Sequence, residues 1–150
     1  MQLCFGQVEQ FKTERAGRPA DADGLYYIFV SANDFFDYLD RGSIGPLDEV
    51  AVRAVDNVVQ SVGDLFELGA KQFLVVNSSD LAALPGATEF DILEDSERFT
   101  RKVSELLPAE IERLSRELAS AEIALYDHVA ISDEIRASPQ RYGLTNIDEP

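Results

Sequence analysis

Leu25-Tyr26-Tyr27-Ile28-Phe29-Val30-Ser31-Ala32-Asn33-Asp34 is a run of six large apolar residues that stops at two small ones and then at Asn-Asp. A buried parallel strand reads this way, because both of its faces are covered and no alternation is needed. In open α/β sheets the carboxyl ends of the strands are where ligands bind. Asn33 therefore stands where a neutral amide donor can meet a substrate oxygen. Asp34, next to it, suits the start of the following helix.

Outward from this strand the pattern repeats. Residues 2–16 predict a short helix with Leu3, Val8 and Phe11 on its apolar stripe, and 17–24 is a loop rich in turn formers. Leu25–Val30 is the first strand, and Phe35–Tyr38 forms a helical turn. From Leu47 to Leu68 apolar residues recur at three and four, through Val50, Ala54, Val58, Val62 and Leu65. Gly69 follows as a helix-terminating glycine. Phe73-Leu74-Val75-Val76-Asn77 reads as a second buried strand, and Leu81 to Asp95 as an irregular connection. A third helix is expected from Ser96, its cap, to Leu118, broken or kinked at Pro108. Ile123–Asp127 is a third strand, His128–Ala137 a last helix, and Tyr142–Asn146 an extended or turn segment. Strands alternating with helices imply a three-layer α/β/α, flavodoxin-like parallel sheet. Three strands leave a narrow sheet with two free edges, so the layout is expected to be incomplete.

The chain has 150 residues, enough for one domain, and carries 28 acidic against 13 basic residues, a net charge of −15. That balance disfavours nucleic acid, whose affinity rests on Lys and Arg neutralising phosphates, and anionic membrane surfaces. Solubility is its plainest consequence. No apolar run approaches the roughly 20 residues that a membrane-spanning helix requires. The N-terminal residues show neither the basic start nor the apolar core of an export signal, and the compartment stays open. Cys4 and His128 are the single Cys and His, so neither a disulfide within the chain nor a zinc site is expected. The acidic stretch Glu89–Asp95 lacks the spacing of a calcium loop and reads as solvated. No cofactor is expected.

Several segments, in order, resemble the C-terminal two-thirds of a GDSL-type lipase or esterase of the SGNH hydrolase superfamily. Gln7-Val8-Glu9-Gln10-Phe11 is similar to the helix before the family's third motif block. Leu25–Asp34 resembles the block itself, a strand followed by G-x-N-D, with Ser31 in the glycine position. Leu65–Asn77 resembles the helix end and next strand, and Leu84-Pro85 the stretch that follows. Ile123–Asp127 and Pro139-Gln140-Arg141-Tyr142-Gly143-Leu144-Thr145-Asn146 resemble the last strand and the segment P-x-x-Y-G-F-x-N. The family's G-D-S nucleophile block, the glycine block after it and the D-x-x-H base have no counterpart here. One domain, residues 1–150, is thus expected to be the C-terminal portion of such a domain, truncated at both ends.

The resemblance implies a serine acyl-enzyme acting on a small-molecule ester, a lipid or an acetylated carbohydrate, with no metal. In that mechanism charge develops on the carbonyl oxygen, and fixed donors stabilise it; losing one costs about 3 kcal/mol. Asn33 takes the oxyanion-donor role by resemblance, with Asp34 and Ser31 as supporting residues. From spacing alone, Asn33 serves equally well as part of a helix cap with Asp34. Asp34 is expected to fix the turn through backbone amides. With nucleophile and base missing, these residues alone are expected to be inactive. A substitute triad of Ser78 or Ser79, His128 and Asp80 lacks a strained nucleophile elbow. Asn77-Ser78-Ser79 matches a glycosylation sequon, but Asn77 also suits a hydrogen bond at its strand end. The alternative function is a non-catalytic acidic α/β module whose sheet edge takes a partner strand.

Overall fold

The computed structural model describes residues 3–29 and 32–145, with side chains from Gly6 onward. In order it comprises α1 (Leu3–Arg15), β1 (Leu25–Ile28), α2 (Ala32–Asp40), α3 (Leu47–Glu67), β2 (Gln72–Val76), α4 (Pro85–Glu89), α5 (Leu93–Glu117), β3 (Glu122–Tyr126) and α6 (His128–Ala137), with 3-10 turns at Leu81–Ala83 and Pro139–Tyr142.

The three strands are all parallel in the order β1-β2-β3. Each strand crosses to the next through a helix, which is how parallel neighbours must be joined. Helices flank the small sheet in an incomplete α/β/α, flavodoxin-like layout. Register aligns Tyr26 with Phe73 and Ile123, and Ile28 with Val75 and Leu125. These rows face the core. The alternate rows, Leu25-Gln72-Glu122 and Tyr27-Leu74-Ala124, occupy the opposite face. Leu25 and Tyr27 are strongly exposed there, at 64% and 59%. Parallel sheets ordinarily bury both faces, so this face is the incomplete side of the fold.

α3 and α5 supply the core. α3 buries Val50, Ala54, Val58, Val62 and Leu65 on one stripe, as its spacing predicts. α5 buries Phe99, Val103, Leu107, Ile111 and Leu114, and the two helices pack on each other. Phe35 of α2 meets Phe99 with ring centroids 5.3 Å apart. α3 ends where expected: Gly69 follows its cap at φ +111°, a conformation that favours glycine.

The structure corrects the sequence at three places. The connection 81–95 is not irregular; it holds a 3-10 turn, α4 and the first turn of α5. Ser96 is not the cap of α5. The cap is Ile92, and Ser96 is buried within the helix. Pro108 does not end the helix, which runs 25 residues through it. A proline forfeits one ladder hydrogen bond, and α5 offsets that by burying five large residues on either side of it. β1 is shorter than expected, with α2 beginning at Ala32 rather than Phe35. Among the described residues, no helix is long and apolar enough to cross a membrane.

Candidate functional site

β1 delivers the chain to the end of the sheet, and α2 begins within four residues of its last strand position. Asn33 is the second residue of α2, exposed, and lines a cavity of about 400 Å³. Gln7, Val8 and Phe11 of α1 form one wall, with Ser61 and Leu65 of α3 beside them. Four consecutive residues of the β1 segment, Tyr26, Tyr27, Ile28 and Phe29, form the other. Consecutive strand residues point to opposite faces. A cavity touched by all four therefore runs along the outer edge of β1. Sequence reasoning pointed to Asn33 and missed this edge, because which side of a strand stays unpaired depends on strand order.

Asp34 has a different setting from the one expected. Rather than facing a turn, its carboxylate accepts a hydrogen bond from Asn57 Nδ2 of α3 at 3.3 Å. It ties α2 to α3 across 23 positions of sequence. Burial pushes the Asp34 carboxyl above the ordinary carboxylate range, while the Asn57 bond pulls the other way. A carboxylate held this way supports the turn that presents Asn33. Ser31, the other supporting residue, lies outside the described residues, as do Asn146 and the side chain of Cys4.

The remaining polar strand ends form a second cluster. Asn77 follows β2 and is 2% exposed. Its Nδ2 donates to Asp127 Oδ1 at 2.7 Å, and its Oδ1 accepts from the His128 backbone N–H at 2.9 Å. Burial and these two bonds give Asn77 the structural role, and they withdraw it from glycan attachment. Asp127 also accepts from Ala130 N–H and so caps α6.

The substitute triad is not assembled among the described residues. Ser78 is fully buried and donates to the carbonyl of Ser79. Asp80 is ion-paired with Arg136. The His128 ring lies 5.8 Å from the ring of Phe29 and 6.3 Å from that of Tyr126, centroid to centroid, in an aromatic cluster. The geometry thus offers a neutral amide donor, a half-buried carboxylate behind it and an aromatic cavity, without a nucleophile paired to a base.

No protein-family model matches this chain, and no curated protein matches it.

Proposed function

We propose that these residues form part of a GDSL-like carboxylic ester hydrolase, in which Asn33 donates a hydrogen bond to the oxyanion of the acyl-transfer intermediate. The observation that carries this reading is Asn33 itself. It stands past the carboxyl end of β1, exposed on a cavity walled by Phe11, Tyr26, Tyr27 and Phe29. An amide suits the role because it donates without titrating and carries no charge to be desolvated. Aromatic and apolar walls suit the acyl part of an ester and exclude water from the developing charge. The substrate class is a small ester, a lipid or an acetylated carbohydrate.

The serine attacks the ester carbonyl and a histidine takes its proton; the acyl-enzyme then yields to water. The described residues assemble neither group, so the chain by itself is inactive in this reading. Incubated with p-nitrophenyl acetate, it should release nitrophenol no faster than buffer does. Turnover that disappears in Ser79→Ala or His128→Ala would overturn this. Joined in one polypeptide to the G-D-S and D-x-x-H segments of a GDSL esterase, the chain should hydrolyse the ester. Asn33→Ala should then lower kcat about a hundredfold or more, with little change in KM. An unchanged kcat removes Asn33 from the oxyanion site.

A further inference from the structure

The helical layer is wider than the sheet beneath it. α3 joins β1 to β2, and α5 joins β2 to β3. α1 packs on α3, and its Phe11 meets Tyr26 of β1 edge to face, with ring centroids 6.1 Å apart. Lys12 of α1 pairs with Asp64 of α3 at 3.1 Å, which fixes the helix there. β1 is nevertheless the last strand on that side among the described residues. The cavity of about 400 Å³ occupies the space that a further strand would fill.

We propose that this groove binds an extended apolar peptide segment with a basic end, which pairs with β1 as an added strand. In a parallel pair, every second residue of β1 turns its N–H and C=O away from β2, which leaves a row of donors and acceptors along the groove. The segment from Leu25 to Phe29 is about 16 Å long at the usual strand rise, which suits about five ligand residues. Alternate ligand side chains enter the cavity against Val8, Phe11 and Leu65. The others lie over the exposed rings of Tyr27 and Phe29, which are 59% and 41% exposed. Burying such surface drives association, and strand pairing gives it direction.

Charge selects the occupant. The Tyr26 hydroxyl donates to the carbonyl of Asp21 at 3.0 Å, so Asp21 and Asp23 stand at the amino end of β1. Both are exposed, and neither makes an ion pair among the described residues. A segment with Lys or Arg at that end meets two carboxylates. A second copy of this chain brings a net charge of −15 against another −15 and is repelled.

The test titrates the full chain with a short blocked oligovaline peptide carrying lysine at both ends, followed by fluorescence anisotropy and amide hydrogen exchange. Saturable binding with slowed exchange within Tyr26–Phe29 is expected. N-methylation of alternate peptide amides should weaken binding by about tenfold or more, because the added ladder is lost. Replacing the terminal lysines by glutamate should weaken it further, more so at low salt. Absence of binding overturns the proposal, as does equal binding of the N-methylated peptide, which would mean apolar adsorption without strand pairing. Self-association that protects the same amides without peptide would make a second copy the occupant and overturn it too.

Discussion

Asn77 and Asp127 are 50 positions apart in the sequence and joined side chain to side chain at 2.7 Å. The same Asn77 accepts the first backbone N–H of α6, from His128. One buried amide therefore locks the ends of β2 and β3 together and sets where α6 begins. Asn77→Ala removes both bonds and leaves a half-buried N–H without its acceptor. The expected loss is about 2–3 kcal/mol of unfolding free energy, read from urea melts. A loss below about 0.5 kcal/mol would mean that water replaces the amide at no cost.

The core should respond very unevenly to aromatic truncation. Phe35 and Phe99 are both fully buried and in contact, whereas neighbouring Phe36 is 40% exposed. Phe99→Ala is expected to cost about 3–5 kcal/mol through lost burial and the cavity left behind. Phe36→Ala should cost about 1 kcal/mol or less. Thermal melts of the two variants side by side check the ranking, and equal losses would contradict the packing of α2 on α5.

Asp34 predicts a pH dependence of definite sign. Burial raises its folded pKa above the unfolded value. Its contribution to stability is therefore greatest below the unfolded carboxylate range and is lost as pH rises through the raised folded value. Asp34→Asn removes this titration and keeps an oxygen for Asn57 Nδ2 to bond. Urea melts from about pH 3 to about pH 7 should show the variant gaining on the parent as pH rises. A difference that stays flat or reverses would show that the carboxylate is hydrated.

α6 should open before the rest of the fold. None of its ten residues is buried, and it is held by the Asp127 cap, the Asn77 bond and the Arg136–Asp80 pair. Amide exchange across Val129–Arg136 is expected to be faster than in α3 and α5 by two or more orders of magnitude, roughly the ratio that a 3 kcal/mol difference in opening energy gives. Equal protection would mean that α6 unfolds only with the whole domain.

Much of the local structure was legible in the chain. The spacing through Val50, Ala54, Val58 and Val62 gave α3 to within a residue. His128 and Ala137 were the bounds expected for α6. Pro108 was misleading, since a local breaker inside α5 is overruled by Phe99, Val103, Ile111 and Leu114 packing on either side of it. Ser96 was misleading for a related reason. A good capping residue was placed inside the helix because burial decided where the first turn lay.

The sequence by itself determined the order of strands and helices, because periodicity and turn chemistry act between residues close in the chain. It also determined that Asn33 follows an apolar strand. Only the tertiary structure decided that Asn33 opens onto a cavity, that Asp34 is held by Asn57, and that the outer edge of β1 stays unpaired. These depend on which strands become neighbours and which helix crosses over which gap. Such pairings are fixed by long-range burial, which no window of sequence contains.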